Sequence, residues 1–173
     1  AGAQWLSIRR LTSRAQHVAD PAWTGLLQEC AARLGMRKSA RLLRTVEHTM
    51  PLAAGTLNGA ILVPAAADAW SEDRRRAVLL HELAHVARYD ILTQMLAAVV
   101  CAFYWIHPGA WWLARRLRVE RELACDDRVL SAGVGARDYG RHLLELAHRG
   151  VAPATTVGMA GTRELERRLR AML

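Results

Sequence analysis

The sequence predicts an α+β fold, mainly helical, with a small N-terminal sheet and a long apolar helical hairpin between two charged, chemistry-bearing motifs. Three observations carry this. Two short β-type runs are confined to residues 41–64, nearly everything after Asp68 has helical pattern, and residues 91–114 hold no formally charged side chain. A length of 173 residues suits one domain, taken here as 1–173. Apolar residues make up 52% and charged residues 23%, which excludes a disordered tail, and the low glycine and proline counts exclude a collagen-like chain.

The first helix is expected to open at Asp20-Pro21, with Asp20 as N-cap and Pro21 in the first turn, and to stop at Gly35. Leu42–Val46 and Ala60–Val63 read as short strands in a sheet-containing part of about 36–66. Ser71-Glu72-Asp73 supplies a cap and two acids to the first of the helices expected over about 70–132. Two C-terminal helices follow over about 137–172, at Asp138–Arg149 and Thr162–Met172, joined by a small, exposed loop.

Residues 91–114 exceed the roughly 20 needed to cross a bilayer, and Trp105, Trp111 and Trp112 resemble interfacial anchors. His107-Pro108-Gly109 interrupts the run, and arginines flank both ends, so both ends belong on the same side of a membrane. A helical hairpin dipping into or lying on the membrane satisfies both facts. A buried hairpin in a soluble core is the alternative, since Thr93, Gln94 and His107 dilute the run.

Cys30, Cys101 and Cys125 are far apart in sequence and build neither a disulfide framework nor a zinc ribbon; they are expected to be reduced and buried. The opening residues are too polar for a secretory signal. The net charge of +8 suits nucleic acid, an anionic membrane surface or acidic partners.

The sharpest chemical signal is His81-Glu82-Leu83-Ala84-His85. On a helix, residues four apart share a face, so both imidazoles reach one metal ion and Glu82 can accept a proton from the attacking water. A catalytic zinc takes three protein ligands and keeps one position open. Arg88 and Ile91 stand where the extended motif of the metzincins needs Gly and His, so the third ligand must come from elsewhere. Glu120 and Glu122 are the candidates. Glu122 is preferred because it shares a face with Asp126, which can orient a ligand from behind. Tyr139, Arg141 and His142 are candidates for stabilising an oxyanion, unranked, and each also reads as a plain surface or packing residue. His17, His48 and His148 read as surface residues, and His107 as the cap of the hairpin turn.

The run from about Met50 to Asp127 resembles the BlaR/MecR family of integral-membrane zinc peptidases. The similarity rests on Pro51–Gly55, Ile61–Pro64, LLHELAHVARYD, His107-Pro108 with Trp111-Trp112, and RLRVERELACDD, with DYGRHLLELAH and ERRLRAML further on. The Glu-x-x-x-Asp spacing is also similar to that of the CAAX-processing and HtpX-type membrane peptidases, whose glutamate binds zinc. The resemblance implies a gluzincin with one catalytic Zn2+ held by His81, His85 and Glu122, and Glu82 as general base. It implies a peptide strand added at the sheet edge near Leu52–Leu62. It further implies a protein substrate, either a regulator such as a transcriptional repressor or the chain itself. The location implied is the bacterial cytoplasmic membrane with the peptidase facing the cytoplasm, held by residues 91–114 and by flanking transmembrane helices that this sequence lacks. No serine-lysine motif of a penicillin-binding sensor is present.

Two other function classes fit parts of the sequence. A zinc-stabilised receptor or scaffold segment without turnover would not need Glu82. Direct nucleic-acid binding is not expected: the charge fits it, but no helix-turn-helix, aromatic-basic interleaving or phosphate loop accompanies the arginines. Membrane-surface lipids account for the same charge.

Overall fold

A computed structural model describes residues 10, 12–46, 50–55, 59–149 and 159–172. Helix α1 spans Pro21–Arg33: Asp20 Oδ1 accepts from Ala22 N at 2.9 Å, and Gly35, at φ +68°, ends the turn that follows. Strands β1 (Gln16–His17), β2 (Arg41–Thr45), β3 (Leu52–Ala54) and β4 (Ala60–Pro64) form one sheet in the order β1-β2-β4-β3. The central β2–β4 pair is parallel and the outer pairs are antiparallel.

Two of these strands match the β-type runs. β1 falls outside residues 36–66, which corrects the expected limits of the sheet, and β3 lies in the segment read as a connection. Neither carries a β-branched residue; pairing with β2 and β4 makes them strands. The period of two then sorts the side chains. Leu42, Ile61 and Val63 enter the main core, while Leu43, Ala60 and Leu62 form a smaller cluster.

Helix α2 (Glu72–Ala87) starts at Ser71, whose Oγ accepts from Arg74 N at 3.4 Å, and packs on α1, β3 and β4. Leu79, Leu80 and Leu83 are fully buried, each contributing about 1.5–3 kcal/mol, and this burial fixes the helix rotation and thus where its histidines point. At Tyr89 the backbone turns left-handed (φ 54°), and α3 (Asp90–Phe103) leaves α2 at 56°. After the turn, His107 Nδ1 accepts from Gly109 N at 3.1 Å and caps α4 (Pro108–Ser131), as expected of that histidine.

α3 and α4 pack together, with Cys101 Sγ 3.6 Å from Ala110 O and Arg121 Nη1 donating to Gln94 Oε1 at 3.1 Å. α5 (Ala136–Arg149) packs on α2, and α6 (Met159–Met172) packs on α4 and α5. α6 begins three residues before the expected Thr162. Residues 150–158 of the expected loop, His48 and the side chain of His148 lie outside the described residues. The three cysteines are free and buried. No single described helix is long and apolar enough to cross a membrane; α2 and α3 together reach that length and apolarity, but as a bent pair.

Two glycines report on packing with opposite signs. Gly25, exposed within α1, has open space where a Cβ would sit, so Gly25→Ala should stabilise by about 0.5–1 kcal/mol. A Cβ on Gly59 would overlap Val86 Cγ1 on α2, so Gly59→Ala should destabilise by about 1–3 kcal/mol. Denaturant unfolding of the two variants beside the parent checks both; equal midpoints would contradict the packing of β4's entry against α2.

Candidate metal centre

The buried leucines of α2 leave His81 and His85 on the side of the helix that faces α4. Their Nε2 atoms lie 3.2 Å apart. α4 brings in Glu122, whose Oε2 is 3.6 Å from His81 Nε2 and 3.8 Å from His85 Nε2. Each of the three side chains is mostly buried, at 12–15% exposure. The other oxygen of Glu122, Oε1, accepts from Arg121 Nη2 at 3.1 Å, which leaves Oε2 to face the histidines.

The rear nitrogens of both imidazoles are occupied. His85 Nδ1 donates to Asp90 Oδ2 at 2.8 Å, and Cys125 Sγ lies 3.3 Å from the same nitrogen and 3.5 Å from Asp90 Oδ2. His81 Nδ1 lies 2.8 Å from Tyr139 Oη and 3.3 Å from Asp126 Oδ1, and the Tyr139 hydroxyl donates to Asp126 Oδ1 at 2.7 Å. With Nδ1 as donor on both rings, each neutral imidazole presents its Nε2 lone pair forward. Three acceptor atoms therefore converge with no hydrogen between them, an arrangement that calls for a cation. Tetrahedral zinc with bonds near 2.0–2.1 Å separates its ligand atoms by ~3.3 Å, and the 3.2–3.8 Å found here fits that donor set.

Strong local fields act on these side chains. Burial works against the charge on Glu122, but His81, His85 and Arg168 outweigh it and hold the carboxyl far below its usual range. Asp126 is likewise depressed: His81 and Arg168 overcome its burial. Burial alone would lower His81, yet hydrogen bonding to Asp126 and Glu122 raises it to about 9. The Tyr139 phenol is pushed well up by burial and by Asp126, so it stays a donor, and Cys125 is raised by burial and by Asp90, so it stays a thiol.

The fold brings His81, His85 and Glu122 together, with Asp126 behind them. Glu120 lies on the exposed side, paired with Arg116 at 2.7 Å. Glu82 is half-buried and has no hydrogen bond or ion pair among the described residues. Of the three oxyanion candidates, Tyr139 is buried behind His81 and Arg141 pairs with Asp138 at the surface; His142 is half-buried with no partner for Nδ1 among the described residues. The sequence reading missed Asp90 and Arg168. Asp90 follows His85 by five residues and reaches it only because Tyr89 bends the chain. Arg168, on α6, grips Asp126 with Nε at 2.7 Å and Nη2 at 2.6 Å, and its Nη1 lies 3.7 Å from Glu122 Oε2. The charged ERRLRAML run signalled a basic helix, not which arginine turns inward.

These braces set a testable order. Asp90→Asn, Asp126→Asn and Arg168→Gln should each weaken zinc affinity about 10–100-fold, since groups that orient ligands carry that much of the binding. Arg128→Gln, exposed on the same helix as Glu122, should leave it unchanged. Competition with a chromogenic chelator measures each, and unaltered affinity in all three brace variants would refute the arrangement.

The family model described as BlaR1 peptidase M56 matches residues 1–172. The regulatory protein BlaR1 of Bacillus licheniformis is 28% identical over 125 residues, which cover 72% of this chain and 21% of that protein. The chain thus spans about a fifth of the relative's length. With the family pattern matched along almost all of its length, the chain belongs to the BlaR1 peptidase M56 family.

Proposed function

We propose that the chain is the catalytic domain of a membrane-associated zinc endopeptidase in which His81, His85 and Glu122 hold the metal and Glu82 is the general base. The convergence of three acceptor atoms beside a glutamate that has no hydrogen bond or ion pair among the described residues carries this reading. When bound there, zinc supplies a Lewis acid that acidifies water towards neutral pH and polarises a peptide carbonyl. Glu82 takes the proton of the attacking water and passes it to the departing amine. Asp90 and Asp126 keep the imidazoles aligned through both transfers, and Arg168 balances Glu122 and Asp126.

The substrate is a protein segment, either a regulator such as a transcriptional repressor or the chain itself, cut at the cytoplasmic face of a bacterial membrane. Kinship to a regulatory protein supports this assignment to signalling proteolysis. Residues 91–114 act as an apolar hairpin set into one leaflet. Its support is the exposure of Phe103, Tyr104, Trp105, Ile106 and Trp112, at 63–81% each, a surface too apolar to face water without a partner.

Metal analysis of the purified chain should give about one zinc per chain, the stoichiometry of a single catalytic site, and Glu122→Ala should lose most of it. Glu82→Gln should keep the metal and slow cleavage of an unfolded protein substrate about 10²–10⁴-fold, the usual worth of a general base. Cleavage by Glu82→Gln at the parent rate would sink the mechanism. A folded, zinc-supplied parent that binds none would sink the metal assignment.

A further inference from the structure

Outside the metal centre, a cavity of about 430 Å³ opens between α4 and α6, lined by Trp112, Arg115, Arg116, Val119 and Arg167. Arg116 is half-neutralised by Glu120 at 2.7 Å. Arg115 and Arg167 have no hydrogen bond or ion pair among the described residues. Three guanidinium groups around one concavity repel one another unless an anion joins them, and the apolar wall of Trp112 and Val119 strengthens the field inside. Guanidinium geometry favours phosphate oxygens, which it can grip in pairs.

The position of the cavity selects the kind of phosphate. Arg115 stands seven residues beyond Pro108, about 10 Å along α4 from the turn that carries Phe103, Tyr104, Trp105 and Ile106. Half the hydrocarbon thickness of a bilayer is about 15 Å. With that turn immersed in one leaflet, Arg115 and Arg116 lie at the level of the lipid headgroups and Trp112 at the boundary below them, where tryptophan is favoured. Arg167 reaches the same level from α6.

We infer that this groove binds the phosphate of an anionic phospholipid headgroup, with Trp112 and Val119 against the start of the acyl chains. The inference rests on the membrane-facing reading of residues 91–114. A free phosphate ion would leave the apolar wall unused, and a nucleic acid would need a basic track with stacking platforms rather than one closed group of arginines.

The test is co-flotation of the full chain with phosphatidylcholine vesicles, with and without phosphatidylglycerol. Phosphatidylglycerol should strengthen binding. The double variant Arg115→Gln/Arg167→Gln should lose about 25-fold in affinity for the anionic vesicles, about fivefold per arginine at a membrane surface, while its binding to neutral vesicles stays at the parent level. The control Arg37→Gln/Arg128→Gln removes the same charge from exposed sites elsewhere and should lose far less. Equal losses in the two double variants would overturn the groove and leave a diffuse charge effect. No binding to either vesicle by the parent would overturn the groove together with the membrane reading, whereas a parent that binds neutral vesicles with no gain from phosphatidylglycerol overturns the groove alone. Release from anionic vesicles by millimolar inorganic phosphate, or equal affinity for duplex DNA, would also overturn the lipid assignment.

Discussion

Three lone pairs pointed at one another are the constraint on which the rest of this structure turns. His81 Nε2, His85 Nε2 and Glu122 Oε2 lie within 3.2–3.8 Å of each other and none carries a hydrogen to offer when the imidazoles are neutral. Left alone, such a group would spread apart or take up a proton, and the hydrogen bonds of His81 to Asp126 and Glu122 do raise its proton affinity. That it stays assembled reflects what stands behind it. Asp90 and Asp126 each accept from an imidazole, Arg121 fixes the far oxygen of Glu122, and Arg168 offsets Glu122 and Asp126. The charges in this shell alternate outward from the site, and each carboxylate has a cation or hydroxyl within reach. This satisfies the rule that buried charge must be partnered.

The elements of this centre differ in how far the sequence revealed them. Ligands on one helix are visible because helical spacing is rigid: His81 with His85, and Glu122 with Asp126, are each four residues apart. A pairing between helices is visible only where a second constraint fixes the approach, here the turn at His107-Pro108-Gly109 that returns α4 to α2. Asp90 was hidden because its use depends on a left-handed tyrosine, a conformation that no tyrosine advertises. Arg168 was hidden because several arginines of α6 are equivalent in composition, and only packing on α4 picks one. The same distinction holds in the sheet. Ala60–Pro64 is buried along its whole length and has the β-branched, apolar character of a central strand, whereas β1 and β3 are strands by pairing alone.

Gln94 and Arg121 show why a few polar residues interrupt the apolar helix. Gln94 holds Arg121 at 3.1 Å, and Arg121 holds Glu122 at the same distance, so a polar residue in α3 reaches the metal centre through one intermediary. What reads in sequence as dilution of a hydrophobic run is, in three dimensions, the contact between α3 and the site. The grouping of His85, Asp90 and Cys125 has the same character: its thiol is kept protonated and donates to Asp90, so it packs the rear of His85.

The bend at Tyr89 makes the two arms of the α3–α4 pair mechanically unlike. α3 meets α2 at the two-residue joint Arg88-Tyr89, so a swing of about 5° would move its far end, about 20 Å away, by nearly 2 Å, yet displace Asp90 by only about 0.1 Å. α4 has no such joint. From Trp111 to Glu122 it is one continuous helix about 17 Å long, with no break between the turn and the ligand. A rotation at that joint would therefore reach His85 much reduced, while a displacement along α4 would reach Glu122 through continuous helix: one arm is built as a hinge, the other as a strut.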